Sequence, residues 1–412
     1  MKKKILIIGN GAKEYALAKK LSQEHEIFVA PKNGLMDDFA VGVDLRENDI
    51  NGLLRFAVEN NIDMTIPVSQ IAIKSDISSV FTANKQSVFA PTSNATRFIY
   101  DKGLTKKTLY KLHIPTPKFG IFEKENVASD YLKNQKIPFV IKTDENCSTT
   151  VLTSVRTAKN IINSIYIDKN NKAIIEDYVY GTSFSYYAIT DGYKALPIGS
   201  SITYKHSLEG EGGQLTSGMG ACAPNYKLTI DDEYMLMDNV IYPTLEYLEK
   251  SGNPYLGIIG INGIISDENK IFILGWQTYM NDCDAPAITE NLDEDIYSLF
   301  ESCIIGSFSD EKNVIKQKEQ YSVSLVMKCG TEAKENTIKG LDLLDDDTVV
   351  SFYNTVSKNK YLEYEANRGN VLILTNSAST ISRASAKVYN EAGMINFTGL
   401  GYRRDIAKPL II

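Results

Sequence analysis

The chain has 412 residues, more than one compact core usually serves, so roughly two to four packed units are expected. Hydrophobic residues make up 43% and charged residues 23%, and the formal net charge of -7 argues against broad binding to nucleic acid or an anionic membrane surface. Five cysteines without a CxxC pair and three histidines speak against a disulfide framework or a histidine-rich metal site, and no apolar run has the length of a membrane span.

In chain order, Lys4 to Ile8 is an apolar run ending in Gly9-Asn10-Gly11, followed by a helical pattern from Glu14 to Leu21. The start, Met1-Lys2-Lys3-Lys4, leads into too short an apolar stretch for a signal peptide, so a cytoplasmic setting is expected. A second strand, Ile27 to Ala30, closes in the turn sequence Pro31-Lys32-Asn33-Gly34; a helix over Ile50 to Asn60 and strands at Met64 to Val68 and Val88 to Ala90 follow. Strands alternating with helices predict a parallel, doubly wound unit over residues 1–101.

From Lys102 the pattern changes. A short helix over Thr105 to Leu112 leads to His113-Ile114-Pro115-Thr116-Pro117. Strands at Phe139 to Lys142 and Ala173 to Glu176 flank a helix near Thr157 to Tyr166, an α+β unit of the size of a lid, at about 115–185. Strands at Phe184 to Ile189 and Ala195 to Thr203 precede a glycine-rich loop from Glu209 to Gly220. Next come a long helix over Ile230 to Lys250, a hairpin of Ile258 to Ile265 with Lys270 to Leu274, and a helix from Asp293 to Ile305. A last unit, 321–412, has strands at Val323 to Met327 and Val371 to Leu374 and a helix from Ile381 to Ala392.

Taken together, Ile7-Ile8-Gly9-Asn10-Gly11-Ala12-Lys13-Glu14, Phe89-Ala90-Pro91-Thr92, Val140-Ile141-Lys142-Thr143-Asp144, Ile175-Glu176-Asp177-Tyr178-Val179, Ser217-Gly218-Met219-Gly220-Ala221 and Arg403-Arg404-Asp405-Ile406 occur in an order that resembles the glycinamide ribonucleotide synthetase family over the whole chain. The resemblance implies an α/β and α+β multidomain fold: an N-terminal doubly wound parallel sheet, an ATP-grasp core with a lid over 102–320, and a small C-terminal α+β domain. Family members join glycine to phosphoribosylamine with ATP and magnesium, through a glycyl phosphate. The implied partners are small molecules, an amine and a carboxylate including a phosphorylated sugar, with no nucleic acid and no membrane.

For ATP, the resemblance implies Lys102 and Lys142 against the phosphates. It further implies a hinge of Glu176, Asp177, Tyr178 and Val179 that reads the adenine edge, and Ser183 in place of a ribose-binding carboxylate. For the substrates it implies Gly9, Asn10 and Gly11 with Lys13 and Glu14, then Gln70 where the family has glutamate, then Lys205. A flexible closing loop carrying Gly218, Met219 and Gly220 would lie over the reacting groups. Read alone, Gly9-Asn10-Gly11 either presents backbone N–H groups to a phosphate or is a turn that needs glycine. Trp276 is either core packing or a ligand platform.

Several family positions are replaced. The lid loop, Glu145 to Val151, has neither glycine nor lysine, and Tyr279 stands where an arginine would bind glycine. Gly275-Trp276-Gln277 replaces the magnesium-binding Glu-x-Asn, which leaves Gln277 and Asp282, with Asp284, as candidate Mg2+ ligands. The expected function is an ATP-grasp carboxylate–amine ligase with altered substrate or reduced activity. The alternative is an inactive relative that binds a nucleotide or sugar phosphate in a regulatory or scaffolding role. A nicotinamide-dependent oxidoreductase, suggested by the N-terminal turn, is disfavoured, because Glu14 stands where GxGxxG needs its third glycine.

Overall fold

The computed structural model describes residues 2–143, 149–167, 171–307 and 314–408. At the N-terminus, Lys4–Ile8 pairs in parallel with Glu26–Ala30 on one side and Met64–Pro67 on the other, and Val41–Gly42 completes a four-stranded sheet. Helices cover both faces, so these strands read as near-continuous apolar runs rather than alternating ones. Leu6, Ile8 and Phe28 pack against the helix Ile50–Glu59 and its neighbours, while Ile5, Ile7 and Val29 join the main core of the molecule. The strand expected at Val88 to Ala90 shrinks to one bridge between Val88 and Thr65.

The lid is an antiparallel sheet in the order Phe119–Phe122, Ala173–Asp177, Phe139–Lys142, Thr149–Leu152. The helices Glu125–Leu132 and Val155–Ile165 pack on it, and Leu132, Phe139, Ile141, Ile162 and Ile175 form a core of its own. Lid residues 144 to 148, on which the reading of the lid loop partly falls, lie outside the described residues.

A nine-stranded sheet holds the rest together. Its order runs Ile271–Gln277, Gly257–Ser266, Gly181–Thr190, Ala195–Leu208, Gly212–Ala223, Tyr321–Cys329, Gly369–Ala378, Val349–Phe352, with Leu400–Gly401 alongside Tyr321–Cys329. The C-terminal segment therefore extends the core sheet, joined where Gly220 pairs with Leu325, instead of closing on a sheet of its own.

Three expectations need correction. The stretch Glu209 to Gly220 is not a flexible loop: only its tip turns, and Gly212–Ala223 is a strand paired on both sides. Its glycines serve close packing, since a Cβ on Gly220 would stand 2.7 Å from the Ser324 carbonyl oxygen and one on Gly218 would stand 2.6 Å from Cys283 Sγ. The helix expected over Asp293 to Ile305 is Ile296–Ile304, with Asp295 as its N-cap, and a separate buried helix, Asp284–Asn291, precedes it. The long helix from Ile230 is interrupted by a π turn at Met237–Ile241, directly before Pro243, whose ring cannot follow a regular α turn.

Candidate functional site

Between the lid and the core sheet lies a cleft of about 300 Å3. It is lined by Lys102, Lys142, Glu176, Asp177, Tyr178, Val179, Ser183 and Lys205, the expected nucleotide residues together with one expected substrate residue. Tertiary structure thus gathers groups spread over a hundred positions of sequence. Val140, Ile264, Leu274 and Trp276 supply apolar wall. Trp276 is 3% exposed and stands edge-on to Phe98 at 4.8 Å, so it packs in the core and borders the cleft at once.

The helix Lys102–Lys111 begins where Asp101 accepts a hydrogen bond from the Leu104 N–H at 2.7 Å. Lys102 and Lys106 are four residues apart and face the same way, so Lys106 also enters the cleft. Sequence reasoning missed Lys106, although this spacing was the signal for it. Glu176 is 1% exposed, and its Oε2 lies 2.9 Å from the Lys142 ammonium and 3.1 Å from that of Lys106. Lys106 also donates to Thr116 Oγ1 at 2.8 Å. Burial, aided by the neighbouring Lys142 charge, pushes the Lys106 ammonium down to about 7, against the pull of Glu176. Glu176 was expected in the hinge that reads the adenine edge; its side chain is the counter-ion of two buried lysines.

At the opposite wall, Lys205 donates to Asn262 Oδ1 at 2.9 Å, and Asn262 Nδ2 donates to Gln277 Oε1 at 3.2 Å. Gln277 Nε2 in turn donates to Tyr187 Oη at 2.5 Å, and Tyr187 donates to Asp284 Oδ2 at 2.6 Å. Asp284 is fully buried and accepts further bonds from Thr203 Oγ1 at 3.2 Å and Asn281 Nδ2 at 2.9 Å. Asp284 is therefore a structural anchor and does not swing into the cleft. Burial lowers the Lys205 ammonium below the usual lysine range, and Asp284 acts in the opposite sense.

A second polar group forms at the start of the first helix, Ala12–Leu21. Here the expectation of free backbone donors meets other partners: Gly9 N–H donates to the Ala30 carbonyl at 2.8 Å and Gly11 N–H to Glu14 Oε2 at 2.9 Å. Asp282 feels the Lys13 charge and Glu14 feels both Lys13 and Asp282, so Asp282 has its place beside Lys13 and Glu14. Burial raises the Glu14 carboxyl to about 7 and raises that of Asp282 as well, with Lys13 opposing both. Asn10 faces Asn354 of the C-terminal segment at 3.4 Å. Gln70 is exposed at the start of the short helix Gln70–Lys74. Met219 is 1% exposed in a cluster with Ala12, Cys283 and Tyr353, and so packs beneath this group without closing over it. Tyr279 is 6% exposed in the main core.

The tip between Ala195–Leu208 and Gly212–Ala223 borders the cleft through His206 and Glu211 and is held from the C-terminus. Arg403, 2% exposed, donates to Asp405 at 2.8 and 2.7 Å, to Glu211 Oε1 at 2.7 Å and to the His206 carbonyl at 3.0 Å. The Gly210 N–H also donates to Asp405 Oδ2 at 2.9 Å. Arg403 lies in a stretch that sequence comparison singled out without assigning it a role.

Magnesium asks for anionic oxygen ligands. Among the described carboxylates lining the cleft, Glu176 is engaged by lysines, Asp177 by Gln135 Nε2 at 2.6 Å, and Glu211 by Arg403. Gln277 Oε1 accepts from Asn262, and Asp282 belongs to the other group. This donor set does not fit a divalent cation held on protein carboxylates. Glu24, His25 and Asp295 could come together on a cation, but none of them lines the cleft. Among the described residues, no helix is long and apolar enough to cross a membrane.

The family model for the ATP-grasp (A) domain of phosphoribosylglycinamide synthetase matches residues 100–285, and the model for the N domain matches residues 3–98. The chain is 28% identical to the phosphoribosylamine–glycine ligase of Neisseria meningitidis serogroup B, over 99% of each chain. It is 26% identical to that of Halalkalibacterium halodurans, over 99% of this chain and 97% of the relative. The crystal structure of the Thermotoga maritima phosphoribosylamine–glycine ligase superposes with a TM-score of 0.81 at 20% identity, covering 98% of this chain and 100% of the other. A biotin carboxylase–β,γ-ATP complex from Campylobacter jejuni shares the fold at a TM-score of 0.73 and 12% identity, covering 100% of this chain and 95% of the other. With both domain models matched in order and full-length relatives aligned end to end, the chain belongs to the phosphoribosylglycinamide synthetase family of ATP-grasp proteins.

Proposed function

We propose that the chain is an ATP-dependent ligase that joins a carboxylate to an amine, on the plan of its phosphoribosylamine–glycine ligase relatives and retuned in its substrates. The observation that carries this reading is the convergence of Lys102, Lys106, Lys142 and Lys205 on one cleft with the hinge Glu176 to Val179. In the reaction a substrate carboxylate oxygen attacks the γ-phosphorus and the bond to the ADP oxygen breaks, giving an acyl phosphate. The amine nitrogen then attacks the carbonyl carbon, phosphate leaves with the C–O electron pair, and the nitrogen loses a proton.

Ammonium groups of the cleft hold the phosphates in line, and the lid excludes water from the acyl phosphate. Buried Tyr279, standing where the family's arginine captures the glycine carboxylate, supports a changed carboxylate substrate. The paired carboxylates Glu14 and Asp282 suit an amine better than an added anion at the first helix.

ADP release with glycine and phosphoribosylamine, then with a panel of small acids and amines, tests the proposal. Turnover with one pair is expected. Tight ATP binding without turnover for any pair would replace it with a non-catalytic nucleotide-binding role.

A further inference from the structure

We infer that the nucleotide phosphates in this cleft are neutralised by lysine ammonium groups, with Lys205 standing in for a protein-held divalent cation. The inference rests on the proposed nucleotide reading of the cleft and concerns how that site achieves charge balance.

The oxygens that might take a metal are committed in a directed chain. Tyr187 donates its O–H to Asp284, so its oxygen accepts from the Gln277 amide nitrogen. That turns Gln277 Oε1 toward Asn262 Nδ2, which in turn fixes Asn262 Oδ1 on the Lys205 ammonium. Each amide oxygen thus has an N–H donor imposed by the group behind it. A dication entering here would have to break the Lys205 bond and sit beside an ammonium, while the described lining carboxylates Glu176, Asp177 and Glu211 are already engaged by Lys106 and Lys142, by Gln135 and by Arg403. The relay ends on Asp284, fully buried and held by three side chains, which keeps it from being turned around cheaply.

Charge count points the same way. Lys205 feels the charges of Lys142 and Lys102 against that of Asp284, and Lys106 feels those of Lys142 and Lys102 against that of Glu176, so four lysines converge on the cleft. Glu176 is the carboxylate in contact with two of them. Lysines gathered in this way attract a polyanion, and metal-free ATP carries more negative charge than its magnesium complex. The binding-competent ligand is therefore the bare triphosphate.

Calorimetry on the full chain tests this with ATP in EDTA and with ATP in excess magnesium. ATP in EDTA should bind as tightly as, or up to about 10-fold more tightly than, the magnesium complex, the range expected for one additional charge contact. Lys205→Met should weaken ATP by about 10-fold or more while changing adenosine binding little, and Lys205→Arg should recover most of the loss. Unchanged thermal unfolding of both variants keeps misfolding out of the comparison. ATP binding about 10-fold or more weaker in EDTA than in magnesium would overturn the inference and leave the nucleotide reading standing. No ATP binding under either condition would overturn both.

Discussion

Replacing Glu176 by glutamine removes the charge from a carboxylate that is 1% exposed and lies 2.9 and 3.1 Å from two lysine ammonium groups. Removing one partner of a buried ion pair typically costs ~3–5 kcal/mol, and the amide keeps the shape and one acceptor, so about 3 kcal/mol is expected here. That corresponds to about 100-fold in the unfolding equilibrium. The loss has a distinctive pH dependence. Lys106 titrates near 7 in the folded chain against an unperturbed value of 10.5, so the unfolded state binds more protons between those values and stability rises with pH there.

Without Glu176 the folded Lys106 loses the group that holds its proton, its pKa falls below 7, and the variant begins to recover at lower pH than the parent. The stability deficit should therefore be larger at about pH 6 than at about pH 8. Urea unfolding followed by fluorescence reads this directly, because Trp276, the one tryptophan of the chain, borders the same cleft. A deficit under about 1 kcal/mol at the lower pH, or one that grows as pH rises, would refute the ion-pair reasoning.

Arg403→Met should lower the thermal midpoint by the equivalent of about 3 kcal/mol, since it leaves Asp405 and Glu211 without their cation. It should also weaken ATP binding by releasing the Glu211 tip; a midpoint equal to the parent's would show that the clasp carries no weight. Glu14→Gln removes a carboxyl raised from 4.5 to about 7 chiefly by burial, whose stability contribution is complete below 4.5 and lost as pH rises through 7. Relative to the parent, this variant should gain up to about 3 kcal/mol between those limits, read from denaturation midpoints at the two ends. Gly220→Ala places a Cβ 2.7 Å from the Ser324 carbonyl oxygen and should cost about 2 kcal/mol or more, seen as a lower melting temperature; a neutral outcome would mean the two strands separate more easily than their pairing implies.

Much of the molecule was legible along the chain. The parallel N-terminal strands, the lid strand ending at Lys142, and the hairpin of Gly257–Ser266 with Ile271–Gln277 follow from local hydrophobic pattern and turn residues. Lys102, Lys142 and the hinge were named through the family resemblance, and the fold brings them to one cleft. Glu209 to Gly220 could not, since glycines that admit a neighbouring strand look the same in sequence as glycines that make a loop.

Sequence by itself indicated most of the elements and their order, and offered Lys102, Lys142 and Lys205 as candidate cations. Tertiary structure alone decided how those charges are balanced: Lys106 and Lys142 share Glu176 from positions 70 and 34 residues away, and Asn262 and Gln277 pass Lys205's contact on to Asp284. Arg403 reaches Glu211 across 192 residues in the same way. Periodicity records which face of an element is buried, whereas a buried polar group takes its partner from whichever strand the fold lays beside it.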